Sequence, residues 1–151
     1  MRHYLKILFL LLIPISLKSQ KVLDEVVINS GRILTPFSDE NRNLIIIDSV
    51  FLNNSSAKNL SEILQQVIGV DIRRRGNDDI QSDLYIRGGS FDQTLLLING
   101  IKVEDSQTGH HQMNLSVPIN LIDKIEILKG PGSRIFGMNA FNGAVNLSLI
   151  H

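Results

Sequence analysis

Residues 59–73 read Asn-Leu-Ser-Glu-Ile-Leu-Gln-Gln-Val-Ile-Gly-Val-Asp-Ile-Arg, and a change of hydrophobic period inside this stretch decides the fold class. Leu60, Ile63, Leu64, Val67 and Ile68 recur at i, i+3, i+4, i+7 and i+8, which places them on one face of an α-helix. Asn59 can accept from the amide three residues on, Glu62 supplies the third-position carboxylate of a loose capping box, and Gly69 stands where the chain must take positive φ. Immediately afterwards Val70 and Ile72 alternate with Asp71 and Arg73, the period of a half-buried strand. The segment therefore reads as a helix that turns through one glycine into a strand.

Working outward, Leu84 and Ile86 alternate with Tyr85 and Arg87, a second short strand. Residues 94–98 and 101–103 flank Asn99-Gly100, the strongest local signal for a two-residue β-hairpin. Residues 122–128 and 144–150 are further strands, and residues 44–47 form an aliphatic run expected to be the first buried strand. Gly130-Pro131-Gly132 ends one strand, and residues 133–136 suit a single helical turn. Residues 104–116 are polar and are expected to form a long exposed loop. One clear amphipathic helix among short strands predicts a small α+β domain with a short mixed β-sheet and long loops.

The chain has 151 residues, 43% hydrophobic and 20% charged, with 15 basic and 15 acidic residues and no cysteine. That length suits one domain with a core. Charge balance gives no electrostatic footprint for nucleic acid, and zero cysteine removes disulfides, thiolate metal ligation and thiol catalysis. The N-terminus shifts the balance: Arg2, His3 and Lys6 precede an apolar run from 7 to 15, followed by polar residues through Gln20, the order of a secretory signal peptide. The run is shorter than the roughly 20 apolar residues of a membrane-spanning helix. Loss of residues 1–19 would remove Arg2, Lys6 and Lys18, leaving an exported, mildly acidic chain of 12 basic and 15 acidic residues. Residues 20–43 then read as a flexible arm carrying one apolar segment, and 44–151 as the folded domain.

The chemistry-bearing patterns are few. No Ser-elbow, zincin, Walker or EF-hand signature occurs, and no catalytic constellation stands out, so an enzyme is not expected. The glycine-rich stretch 129–137 invites a phosphate-loop reading, but Pro131 removes a donor and Ile135 stands where glycine is required; a tight turn is the expectation. His110 and His111 lie near Glu104 and Asp105, yet adjacent residues of extended chain point apart, so no metal site is expected there. Arg73, Arg74 and Arg75 are flanked by Asp71, Asp78 and Asp79 and read as a solvated edge. Arg87 and Glu126 are charges embedded among apolar residues and need partners, either within the domain or on another one.

Taken in order, these segments resemble the plug domain of TonB-dependent outer-membrane receptors, in the form closest to cobalamin and siderophore receptor plugs. Leu23-Asp24-Glu25-Val26-Val27-Ile28 resembles a TonB box, and residues 60–72 resemble the family's helix and following strand, with Ile68 where Pro is usual. Ile86-Arg87-Gly88-Gly89, Leu96-Leu97-Ile98-Asn99-Gly100 and the run from Ile122 to Pro131 resemble its three most diagnostic segments. Phe136-Gly137 and Gly143-Ala144-Val145-Asn146 match its ending.

The resemblance implies a plug seated in a 22-stranded barrel, a ligand resting on outer loops, and residues 23–28 pairing with the TonB C-terminal domain by β-augmentation. Read from the residues alone, 23–28 also suits an ordinary first strand. By the same resemblance Arg87, Glu126 and Lys129 sit where plugs make charged contacts with the barrel or among themselves, and His110, His111, Gln112 and Met113 belong to a candidate ligand loop for an iron-siderophore or cobalamin-like molecule. No cofactor is implied. A barrel of that size takes roughly 220 residues in strands alone, so the expectation is a truncated or split receptor in the outer membrane, or a periplasmic plug-like protein that binds TonB or ligand without transport.

Overall fold

The computed structural model describes residues 27–28, 35–36, 43–76, 81–105, 107–108, 110, 112–115 and 117–150. The expected leader at 1–19 lies outside these, as does nearly all of the arm. Within the arm β1 (Val27–Ile28), β2 (Thr35–Pro36) and Asn43 are described, and the two strands pair antiparallel as a two-residue ladder.

Five strands form the main sheet: β3 (Leu44–Ile47), β6 (Thr94–Ile98), β7 (Ile101–Val103), β8 (Ile122–Lys129) and β9 (Gly143–Leu149). Their order is β3-β8-β9-β6-β7, with β6 and β9 parallel and the other neighbours antiparallel. The sheet is therefore mixed, as expected. A separate antiparallel pair, β4 (Val70–Arg75) and β5 (Gln81–Ile86), follows the helix.

Central strands carry side chains buried on both faces. One face, with Leu96, Ile125, Ile127, Val145 and Leu147, packs on Ile63, Leu64, Leu84 and Ile86 of the helix and the β4–β5 pair. On the other face Leu95, Leu97, Leu128 and Ala144 close over Ala140 and Phe136. Each fully buried aliphatic side chain contributes about 1.5–3 kcal/mol relative to exposure, so this double-faced sheet is the main source of stability.

Among the described residues three short α-helices decorate it: α1 (Ser49–Asn54), α2 (Leu60–Gln65) and α3 (Ser133–Phe136). α2 starts as expected, with the Glu62 amide donating to Asn59 Oδ1 at 2.9 Å; Glu62 returns a carboxylate oxygen to the Lys58 amide at 2.7 Å. It stops earlier than the periodicity predicts. The Gln66 and Val67 amides bond carbonyls three residues back, tightening the turn so that Gly69, at φ +84°, delivers Val70 opposite Ile86. This rotation takes Ile68 off the helix face and leaves it 87% exposed. α1 was not expected: Asp48 caps it by accepting from the Phe51 amide, but only Leu52 is buried, so its residues carry no helical period.

Candidate functional site

The three charged residues Arg87, Glu126 and Lys129 part company in the fold. Glu126 lies in the middle of β8 with no exposed surface; Lys124 Nζ reaches its Oε1 at 3.2 Å and Asn146 Nδ2 donates to its Oε2 at 2.8 Å. Both of these partners lie within the domain. Arg87 and Lys129 instead meet at one end. Both flank the turn after α2: the Arg87 amide donates to the Gly69 carbonyl at 2.9 Å and Lys129 Nζ to the Ile68 carbonyl at 3.0 Å. Arg87 takes φ +52°, an uncommon conformation for a residue with a Cβ, and its side chain is exposed. Among the described residues no carboxylate pairs with it.

The glycine-rich stretch is a structural turn. The Gly130 amide donates to the Asn142 carbonyl, Gly132 to Ala140, and Phe136 closes on Gly132. Amides used in this way do not face an anion.

The loop after β7 differs from the exposed loop expected. Gln112 is 7% and Met113 5% exposed, the latter inside the main core. Its polar composition hid this: Met113 enters the core and Leu115 packs against it, two apolar residues in an otherwise polar stretch. His110 packs on Phe91 with the rings tilted by 31° and their centroids 4.0 Å apart, and its Nδ1 sits 3.2 and 3.3 Å from the two oxygens of buried Asp83. Asp105 organises the entry, accepting from the Gln107 amide and the Thr108 hydroxyl. Tyr85 meets Phe91 edge-on and carries the Arg73 guanidinium over its ring at 4.4 Å. Among the described residues of this loop the exposed side chains are Glu104, Gln107, Thr108 and Asn114, and the last three were not singled out from the sequence, where nothing distinguishes them from ordinary loop residues. His111 lies outside the described residues, as do residues 23–26 of the TonB-box-like segment; Val27 and Ile28 are the strand β1. Among the described residues no three His, Asp or Glu side chains gather as a metal site.

The helix-to-strand turn, the mixed five-stranded sheet and the fastened loop define a plug-type α+β domain. Residues 37–144 match the family model described as the TonB-dependent Receptor Plug Domain, and the chain belongs to that family. It is 29% identical over 140 residues to the vitamin B12 transporter BtuB of Vibrio vulnificus strain CMCP6, covering 91% of this chain and 23% of the transporter. The BtuB of Vibrio cholerae O1 strain M66-2 is 29% identical over 124 residues, 82% of this chain and 20% of that protein. The chain thus spans about a fifth of the length of these curated relatives. In fold it is similar to the outer-membrane ferripyoverdine receptor of Pseudomonas aeruginosa, with TM-score 0.65 and 15% identity over 83% of this chain and 16% of the receptor. The ferric yersiniabactin uptake receptor FyuA of Yersinia pestis gives TM-score 0.59 and 19% identity, covering 76% and 18%.

Proposed function

We propose that this chain is the plug module of an exported TonB-dependent outer-membrane receptor that takes up cobalamin or an iron-siderophore, with residues 23–28 binding the TonB C-terminal domain. The family match over 37–144 carries this reading. The vitamin B12 transporters among the relatives support cobalamin, and the ferric-chelate receptors that share the fold support an iron-siderophore. Arg87, exposed in a left-handed turn without a carboxylate among the described residues, suits an ion pair with a surrounding barrel. Lys129 beside it serves the same end, whereas Glu126 acts inside the domain. His110 holds the ligand loop in place and Gln107, Thr108 and Asn114 present it.

Titration of the TonB C-terminal domain into the chain tests the coupling role. A strand added to a sheet edge needs alternate backbone donors, so either Val26→Pro or Val27→Pro removes a required N–H, whichever side faces the partner. The expected result is binding lost in at least one variant; binding unchanged in both overturns the assignment. Titration of cyanocobalamin and of a ferric catecholate into the receptor carrying this plug separates the two ligand classes.

A further inference from the structure

Asp83 is buried on a face whose other residues are not. Ile72, Leu84 and Ile86 point from the β4–β5 pair into the core, so Arg73, Asp83 and Tyr85 lie on the opposite side, where a half-buried pair of strands meets water. Asp83 is nevertheless only 6% exposed. What lies over it is the loop after β7, whose His110 Nδ1 stands 3.2 and 3.3 Å from the two carboxylate oxygens while the imidazole packs on Phe91. Among the described residues the Asp83 carboxylate has no other polar partner. Lifting His110 away would leave a buried carboxylate without a donor, the costly way to break such a pair. A replacement stands close by. Arg73 is directly opposite Asp83 in the ladder and diagonal to Tyr85, and a long side chain reaches both positions across an antiparallel pair. Here the guanidinium takes the diagonal one, 4.4 Å over the Tyr85 ring, with Nε donating to Asp71 Oδ2 at 3.2 Å. Neither contact holds it strongly: the Arg73 and Asp71 side chains are 67% and 54% exposed, and such pairs contribute little.

We propose that Asp83 is the shared acceptor of a two-position latch: His110 holds it while the loop after β7 is down, and Arg73 swings across from Tyr85 to take it when the loop lifts. The two arrangements exclude each other, because the imidazole occupies the side of Asp83 that the guanidinium would approach. Exchange of partners keeps the carboxylate paired in both states, and so lowers the cost of lifting the loop without weakening the core. The moving piece is bounded. Glu104 is tied to Lys102 at 2.8 Å and accepts from Asn139, and Met113 sits in the core, so the segment between these anchors moves while the sheet stays in place. A loop with two paired positions is bistable, not continuously loose. The latch does not depend on what the loop serves. That the lifted position changes how Gln107 and Thr108 meet a ligand rests on the ligand-loop reading above. The latch is read without ligand, so its failure is distinct from failure of that reading.

Hydrogen exchange of the amides at 107–112 in the full chain reports the lifted population. Arg73→Met keeps an apolar stem over Tyr85 and removes the donor that the lifted state needs, so exchange in this segment is expected to slow about threefold, the size of an exposed cross-strand ion pair. Arg73→Lys keeps the charge and should exchange closer to the parent. The sign decides: an arginine that only supports the packing of Tyr85 and Phe91 would loosen the loop when removed, so equal or faster exchange in Arg73→Met overturns the latch. A second measurement uses urea unfolding. His110→Ala leaves Asp83 to Arg73 alone, so Arg73→Met is expected to lower the folding equilibrium constant at least ~threefold more in the His110→Ala background than in the parent. Equal losses in the two backgrounds overturn the exchange of partners. Neither substitution touches the buried core, so both variants are expected to fold.

Discussion

Asn146 donates its side-chain amide to Glu126 across the β8–β9 ladder at 2.8 Å, and both side chains are essentially without exposed surface. The other end of the same amide accepts from the Gly100 N–H at 2.9 Å, so one asparagine ties a buried carboxylate to the Asn99-Gly100 hairpin turn. Asn99 in turn accepts from the Leu149 amide at 2.9 Å, fastening the end of β9 to the same turn.

The first prediction follows from the cost of stranding a buried acceptor. Asn146→Leu leaves Glu126 with fewer donors in a dry site and is expected to destabilise the domain by about 2–3 kcal/mol. Glu126→Leu combined with Asn146→Leu removes both polar groups and should cost less than the two single changes summed. Urea midpoints of the four proteins measure the coupling; a sum that adds within about 0.5 kcal/mol means that the two groups do not depend on each other.

The loop after β7 supports a prediction that separates anchoring from stability. Met113 is a core residue and His110 a surface clasp on Phe91 and Asp83. Met113→Ala should lower global stability by about 2–4 kcal/mol. His110→Ala should cost about 1 kcal/mol or less, while speeding exchange of the amides at 107–115 several-fold. Equal exchange in the two loops, with and without His110, would show that Met113 alone holds the segment.

These two residues also mark where sequence reading stops. Elements defined by local rules were legible: the start of α2 at Asn59, the turn at Gly69, the Asn99-Gly100 hairpin and the strand at β8 all rest on capping, positive φ or period within a few residues. The parallel β6–β9 pairing was not, because Thr94 meets Gly143 across nearly fifty residues and nothing local encodes that meeting. Ile68 was misplaced for the opposite reason: its spacing satisfies the helical period, but the chain needs that residue for a turn. At the candidate site, Glu126 was legible as a charge in need of a partner, whereas Asn146 and Asp83, the groups that fix Glu126 and His110, look ordinary until the strands are assembled.

The cap of α2 gives a smaller effect. Asn59→Ala removes the acceptor for the Glu62 amide at the start of a six-residue helix. The expected loss is about 1 kcal/mol, with Asn59→Asp or Asn59→Ser close to the original. Because Ile63 and Leu64 remain in the core, the change should appear as a shifted midpoint with an unaltered denaturant slope; a changed slope would instead mean partial unfolding of the native state.

Two glycines beside one another in the packing should respond differently to the same added methyl. At Gly89 a Cβ would fall 1.5 Å from Asn142 Nδ2, so the Asn142 side chain must move and give up its 2.7 Å bond to Gln93 Oε1. At Gly143 a Cβ would fall 2.3 Å from the Leu128 carbonyl oxygen and 2.8 Å from Ile86 Cδ1. That carbonyl belongs to the neighbouring strand β8, which is held on its far side by β3, so backbone rather than a side chain has to yield. Gly143→Ala is therefore expected to cost about 3 kcal/mol or more, at the upper end of overpacking effects, and Gly89→Ala less. A second change distinguishes the mechanisms: Asn142→Ala should recover part of the loss in Gly89→Ala and none of it in Gly143→Ala. Thermal midpoints of the two double variants against their parents decide the matter, and equal recovery in both would mean that the clash at Gly143 is relieved by side-chain movement after all.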